Sequence, residues 1–128
     1  MLPFTVSVRL NAPIYEQVIF SVKKAVLSGQ LKEGAPFPSV RQLSLELRIN
    51  PNTAHKVVAA LTAEGFLNVK PGIGTVVALP EAANHKEQQQ LLQEDLEQLV
   101  VKAKHLGVSE EVLLQTLKKH WNKIGDLP

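Results

Sequence analysis

The chain has 128 residues, of which 45% are hydrophobic and 20% are charged, and its net charge is +2. This composition is typical of a soluble globular protein with one or two small domains. Because the chain has no cysteine, disulfide frameworks, thiolate zinc sites and cysteine nucleophiles are excluded. The longest apolar runs are too short to span a bilayer, and no secretory signal is evident. We therefore expect a protein of the cytoplasm that does not enter a membrane.

The charges are unevenly distributed along the chain. Residues 1–78 carry eight Lys and Arg against four Asp and Glu, a balance of +4, whereas residues 79–128 carry six against eight, a balance of −2. This asymmetry favours contact between the first part and a polyanion, with a different task for the second part. Chance variation in surface composition is the alternative interpretation.

Caps and apolar spacing predict three helices in the first half of the chain. The first begins after Pro13, ends near Gly29 and has a buried stripe at Ile14, Val18, Val22 and Val26. The second begins after Ser39, a suitable N-cap, and its apolar residues are Val40, Leu43 and Leu47. The third spans roughly residues 51–64, with one apolar face at Ala54, Val57, Val58 and Leu61. Residues 1–10 alternate only weakly and predict an extended arm.

A hairpin and two further helices are predicted after the third helix. Two β-prone runs flank the turn "KPGIG" at residues 70–74, which indicates a β-hairpin. Residues 80–85 are typical of a linker. A long amphipathic helix then follows up to Gly107, with apolar positions at Leu92, Leu96, Leu99, Ala103 and Leu106. Ser109 begins the last helix, whose apolar residues are Leu113, Leu114, Leu117, Trp121 and Ile124.

The order of these elements predicts a mainly α protein with a small β-hairpin. Three helices with a tight joint between the second and third, followed by a hairpin, indicate a winged helix-turn-helix over residues 1–79. In the stretch "NPNT", Asn50 can cap the third helix and Pro51 fits its first position. Polar side chains exposed on such a turn can read the DNA major groove. A capped surface helix that binds nothing is the alternative.

Residues 13–78 resemble the DNA-binding domain of the GntR family of bacterial transcription regulators. The motifs "PIYEQV", "SGQLKEG", "PSVRQLSLEL", "NPNT", "EGF" and "GIGTVV" occur in the order and spacing of that family. They cover about half of the chain. The short helical tail and the "NPNT" turn are similar to the YtrA-type subgroup. The resemblance implies a repressor of nearby genes, often those of an ABC transporter.

The resemblance also implies which residues contact DNA. Arg41 matches an arginine that contacts phosphate or a guanine edge, and Ser39 matches a capping position that faces phosphate. The surface of the recognition helix corresponds to Asn52, Thr53, His55 and Lys56, and the wing corresponds to Lys70, Gly72 and Gly74.

Two departures and several alternatives accompany these assignments. Many family members have arginine at the position of Pro51 and some at His55, so the operator sequence cannot be carried over from relatives. Arg41 could instead pair with Glu46 or another surface acid, and Lys70 could be a solvated edge charge that discourages strand aggregation. The two glycines have a conformational reason to occupy the turn whatever binds there.

Residues 80–128 are predicted to form a short α-helical dimerisation domain. Two small amphipathic helices are marginal alone, and a symmetric dimer would bury the apolar stripes that contain Leu92, Leu96, Leu99, Leu113, Leu117 and Trp121. Packing of these helices on the first helix of the same chain is the alternative. A dimer predicts a palindromic operator whose two half-sites are related by a two-fold axis.

No ligand or reaction is indicated by the sequence. The tail is too short for a typical small-molecule cavity, although a pocket between subunits near Trp121 remains open, and the effector is unknown. His85, His105 and His120 lack the spacing of metal ligands, and no cofactor is expected. The isolated "GIG" does not open a helix, so an enzyme is not indicated. The competing function is a protein-interaction adaptor that uses the winged fold and the helical tail without DNA.

Overall fold

The computed structural model describes residues 1–7, 9, 11–81 and 84–125. The described chain forms two compact units, built on Met1–Pro80 and Glu81–Ile124. The first contains three helices and a two-stranded sheet, and the second contains the remaining helices. The mainly α fold with a small β-hairpin is therefore confirmed. The roles assigned to residues 1–79 and 80–128 stay predictions.

The three helices of the first unit begin and end close to the predicted positions. Helix α1 spans Ile14–Leu27, α2 spans Val40–Leu47 and α3 spans Pro51–Ala63. Gly29 follows α1 with a φ of 82°, in the left-handed region that suits a residue after a helix. Prolines and polar caps thus define these elements locally, before any tertiary contact is considered.

A short antiparallel hairpin follows α3. Strand β1 spans Leu67–Lys70 and strand β2 spans Gly74–Val77, with Lys70 opposite Gly74. The Ile73 N–H closes the turn by donating to the Lys70 carbonyl at 3.0 Å. The second edge of β2 is covered by the loop before α2, where the Phe37 N–H donates to the Thr75 carbonyl at 2.9 Å. The hairpin is therefore tied to the helices on one side.

The core of the first unit lies between α1, α2 and α3. Its fully buried side chains include Val18, Val22, Leu43, Val57 and Leu61. The predicted stripe of α1 is buried except at Ile14, which is half-buried. The N-terminal arm adds to this core, because Phe4 is buried and stacks on Phe37 with ring centroids 5.7 Å apart.

Among the described residues of the first unit, Gln17 is the polar residue that is buried, and its side chain holds the arm to α1. The Gln17 side chain accepts a hydrogen bond from the Arg9 N–H at 2.6 Å and donates to the carbonyls of Arg9 at 2.8 Å and Ala12 at 2.6 Å. It is 9% exposed. These three bonds pair the side-chain amide of Gln17 with backbone groups of the arm and of the residues just before α1.

The second unit begins with a long helix that changes its winding in the middle. Helix α4 spans His85–Gln90, a π-helical segment spans Leu91–Asp95, and α5 spans Leu96–His105. The helix begins at His85, inside the predicted linker, because the Asn84 side chain caps it by accepting from the Glu87 N–H at 2.9 Å. Ala82 and Ala83 of that linker lie outside the described residues.

The last helix, α6, spans Glu110–Ile124 and begins after Ser109 as predicted. The Ser109 hydroxyl caps it by accepting from the Val112 N–H at 3.2 Å. Across the described parts of the chain, no helix combines the length and the apolar character needed to cross a membrane.

Candidate nucleic-acid interface

The first turn of α3 is fixed by its own residues. Asn50 accepts a hydrogen bond from the Asn52 N–H through its side-chain oxygen at 2.8 Å, and Pro51 occupies the first helical position. The missing N–H of proline costs nothing at this position, because an N–H there would have no partner within the helix. The φ of proline already suits a helix. The predicted capping is confirmed, and it gives the turn one defined geometry.

Most of the predicted recognition residues are exposed on this helix. Asn52, His55 and Lys56 are exposed, whereas Ala54 and Val57 of the opposite face are fully buried. Thr53 is half-buried, so it presents less surface than the other three. The structure thus separates a buried apolar face from an exposed polar face, as an α-helix entering a major groove requires.

Helix α2 packs against α3 and carries two further predicted residues. The Ser39 hydroxyl caps α2 by accepting from the Gln42 N–H at 3.1 Å, and Arg41 in the first turn is exposed. Ser39 therefore has a local structural role independent of any ligand.

The suggested pairing of Arg41 with Glu46 does not form. Glu46 pairs with the N-terminal amine of Met1, which together with Gln42 lowers the pKa of the Glu46 carboxyl. Within the described residues, the ion pairs are this one and Lys23–Glu64. Among the described residues, Arg41 therefore makes no ion pair.

The turn of the hairpin is an exposed tip. Lys70, Gly72 and Gly74 are all exposed, and Gly72 and Gly74 have φ angles of 78° and 109°. Both angles lie in a region that a residue with a side chain adopts only under strain. A Cβ at either glycine would meet no atom within 4 Å, so the backbone conformation and not crowding requires glycine.

Arg48, in the joint between α2 and α3, was missed by the sequence analysis. It is exposed, and it is the residue of the described chain that has a positive φ without being glycine, at 55°. It takes part in neither of the two ion pairs formed by the described residues. A cation two residues before the N-cap Asn50 was the signal that could have drawn attention to it.

Comparison with known proteins identifies the family. The family model described as "Bacterial regulatory proteins, gntR family" matches residues 14–77, which include all three helices and the hairpin described above. The chain belongs to the GntR family.

Similarity to individual GntR-family and related proteins extends beyond the winged unit. The chain is 35% identical to the HTH-type transcriptional repressor YtrA of Bacillus subtilis over 87% of this chain and 86% of that protein. It is 28% identical to the uncharacterized HTH-type transcriptional regulator YhcF of the same organism over 84% and 89% of the two chains. These matches support the resemblance to the YtrA type.

A solved structure also matches both units. The protein described as a transcriptional antiterminator from Listeria monocytogenes EGD-e superposes with a TM-score of 0.81 and 26% identity, over 98% of this chain and 96% of that one. The winged helix-turn-helix architecture of this GntR-family chain is thereby confirmed.

The helical tail of this GntR-family chain exposes much of its apolar surface. Among the residues predicted to form a dimer interface, Leu92 is 52% exposed, Leu99 45%, Leu117 45% and Trp121 64%. Leu96 is 39% exposed and Leu113 is half-buried. Ala103 is the buried residue of this unit within the described chain. The stripes predicted from the sequence exist, and the chain itself leaves them largely uncovered.

No ligand site emerges from the described residues. They contain no group of three or more His, Cys, Asp or Glu side chains that could hold a metal ion. An open groove of about 360 Å³ between the arm and α1 is lined partly by Arg9, Gln17 and Lys24. None of the predicted DNA-contacting residues lines this groove, and Trp121 does not line it either.

Proposed function

We propose that this GntR-family regulator is a homodimeric repressor that binds a palindromic DNA operator. The observation that carries the proposal is the first turn of α3, which is capped by Asn50 and Pro51 and exposes Asn52, His55 and Lys56. Amide and cationic side chains near a helix N-terminus are suited to the edges of bases and to phosphates. The cap itself has a local role in beginning α3, so it is the exposed polar face beside it that supports contact with DNA.

The cations beside this turn support contact with a polyanion. Arg41 on α2, Arg48 in the joint and Lys70 at the hairpin are exposed and belong to neither of the two ion pairs found in the described residues. We assign Arg41 to a phosphate or a guanine edge, and Lys70 with Gly72 and Gly74 to a wing that follows the minor groove. Ser39 and Thr53 border the same surface.

Dimerisation is assigned to the second unit. Of the 17 large hydrophobic side chains that are exposed in the described chain, 12 lie between Leu91 and Trp121. Patches of this kind are uncommon on a monomer and indicate an interaction site. A second copy is the simplest occupant, since two copies bury equivalent stripes and double the number of DNA contacts.

The target operon is assigned by analogy with the relatives. YtrA of Bacillus subtilis is named a repressor, and we assign repression to this chain by analogy. The resemblance to the YtrA-type subgroup adds the target, a nearby operon that encodes an ABC transporter. Two half-sites about one turn of DNA apart would match the two-fold symmetry of a dimer.

Selection of genomic fragments by the purified full chain, followed by footprinting, tests this proposal. We expect a palindromic site, and we expect affinity that falls as salt rises, because phosphate contacts release counterions. RNA of the same sequence serves as a competitor, since the similar Listeria protein is described as an antiterminator. If the chain selects no duplex and binds only a protein partner, the adaptor function would be favoured instead.

Arg41→Ala tests the assigned contact within the same assay. We expect operator binding to weaken by on the order of 1–3 kcal/mol if Arg41 reads a base edge. Lys32→Ala is the matched control, because Lys32 is exposed in the turn after α1 and outside the proposed surface. Equal affinities of the two variants would reject the assignment of Arg41.

A further inference from the structure

Ile73 is an apolar residue at the tip of the hairpin. It is 74% exposed, more than any other large hydrophobic side chain of the described residues except that of Met1. A single exposed apolar side chain needs no explanation by itself. Ile73, however, lies between Gly72 and Gly74, in the turn that the proposed function assigns to the minor groove of DNA. A bulky apolar side chain at that point needs a surface to meet.

The turn that carries Ile73 has one defined conformation. Pro71 follows Lys70, and Gly72 has a φ of 78°, which is the arrangement of a type II turn with proline at its second residue and glycine at its third. The Ile73 N–H closes the turn on the Lys70 carbonyl at 3.0 Å. Because proline fixes its own φ and the turn is hydrogen-bonded, little conformational entropy is lost when the tip is pressed against another molecule.

The charges around Ile73 suit a surface formed by a polyanion. Residues 65–80 contain no Asp or Glu, and the exposed Lys70 lies in the same turn. Phosphates on the two sides of a groove would therefore meet a cation and no like charge near the tip. Apolar side chains flanked by cations are the means by which several proteins enter the minor groove.

We propose that the Ile73 side chain lies against the floor of the minor groove and selects A·T over G·C pairs beneath the wing. This inference rests on the proposed function, because it requires the wing to follow the minor groove of a duplex. A contact between Lys70 and phosphate carries no sequence information. Ile73 is then the residue through which the wing contributes to specificity.

The chemical basis of this selection is the amino group of guanine. In the minor groove, A·T and T·A pairs present only acceptors, whereas a G·C pair adds the guanine N2 amino donor, which projects into the groove. The Ile73 side chain has no acceptor for this donor. Close contact would therefore displace water from the amino group without replacing its hydrogen bond, a cost that an A·T pair does not have.

A single introduced cysteine locates the base pairs beneath the wing. The chain has no cysteine, so Asn68→Cys, at an exposed position of β1, can carry an iron–EDTA group on the full chain. We expect this group to cleave the duplex selected by footprinting at two symmetric positions, and we expect A·T pairs there. Cleavage confined to G·C pairs, or no cleavage of a duplex that the chain binds, would overturn the inference.

Replacement of these A·T pairs tests the amino group itself. A duplex with G·C at these positions should bind about tenfold more weakly, within the range for one unfavourable base pair. Inosine paired with cytosine keeps the major-groove edge of a G·C pair but lacks the amino group, so it should restore the affinity. If inosine weakens binding as much as guanine does, the wing does not read the amino group and the inference is wrong.

Ile73→Ala separates contact by the side chain from recognition of groove shape, since A·T-rich DNA also has a narrow minor groove. This variant should bind the A·T and G·C duplexes with nearly equal affinity. Val69→Ala is the matched control, because Val69 is also an exposed β-branched residue of the hairpin but lies in the strand. The control should keep the parental preference. The same preference in Ile73→Ala would overturn the inference.

These outcomes separate the inference from the proposed function. If the chain binds a palindromic operator and its preference for A·T is unaffected by Ile73→Ala, the role of Ile73 alone is wrong. If the chain selects no duplex, both the proposed function and the role of Ile73 are wrong.

Discussion

Asn50 and Asn52 are joined by a hydrogen bond of 2.8 Å from the Asn52 N–H to the Asn50 side-chain oxygen. The backbone carbonyl of Asn50 also accepts from the Ala54 N–H at 3.0 Å. Asn50 therefore accepts two hydrogen bonds from the first turn of α3, one through its side chain and one through its backbone. This cap fixes the turn that carries the exposed side chains proposed to contact DNA.

Replacement of Asn50 by alanine is expected to lower both stability and operator affinity. Loss of the side-chain acceptor leaves the Asn52 N–H without its partner, at a cost of about 1 kcal/mol in the free energy of unfolding. Urea unfolding and operator titration measure the two effects. Asn50→Ser is the matched variant, because serine also caps well. If alanine and serine behave alike, the cap does not position α3.

Much of the first unit could be predicted because single residues determine where its helices begin and end. Pro13, Ser39 and Asn50 each begin a helix for a local reason, and Gly29 follows one. The hairpin was predictable for the same reason, since its turn requires the glycines at 72 and 74. Local conformational preference and apolar spacing agree in these elements, and such agreement makes an element predictable.

Three features of the structure could not be predicted from the sequence. The π-helical segment Leu91–Asp95 interrupts a regular leucine spacing, and nothing in that spacing marks an extra residue in a turn. The stacking of Phe4 on Phe37 brings the arm to a loop far along the chain. The exposed cations of the proposed interface were predicted, except Arg48. Arginine has no preference for the left-handed backbone conformation that Arg48 adopts, so its sequence position did not indicate this conformation.

Gln17 is expected to be the polar side chain whose loss most weakens the first unit. Gln17→Ala removes the partner of the Arg9 N–H and of the carbonyls of Arg9 and Ala12. A buried group left without its partner costs on the order of 1–3 kcal/mol. Chemical unfolding measures the loss. Glu16→Ala, at the exposed neighbouring position, should cost less than about 1 kcal/mol. Equal losses of stability in the two variants would mean that the hydrogen bonds of Gln17 contribute nothing.

Arg48 offers a test in which stability and binding separate. Its φ of 55° costs a residue with a Cβ roughly 1–2 kcal/mol, so Arg48→Gly should unfold at higher denaturant than Arg48→Ala. Both variants lose the same cation, and both should bind the operator equally less well than the parent. Urea unfolding and DNA titration are compared across the pair. Parental affinity in both variants would remove Arg48 from the interface.

Lys70 should affect binding through phosphate alone. Lys70→Ala is expected to weaken binding to all duplexes alike and to reduce the slope of log affinity against log salt by about one. Titration of operator and unrelated duplexes at several salt concentrations gives both quantities. Lys24→Ala, an exposed cation on α1, should leave the slope unchanged. A slope that Lys70→Ala does not alter would favour the view that this residue is only a solvated edge charge.

Leu61 and Leu117 should respond to truncation in different ways, because one is covered by its own chain and the other is not. Leu61 is fully buried, so Leu61→Ala should cost about 2–5 kcal/mol in unfolding of the first unit at every protein concentration. Leu117 is 45% exposed. Its truncation should remove little from the isolated chain and should act on association instead. Sedimentation across a range of concentrations should therefore show a weaker dimer for Leu117→Ala, and an unaltered dimer would exclude this side chain from the interface.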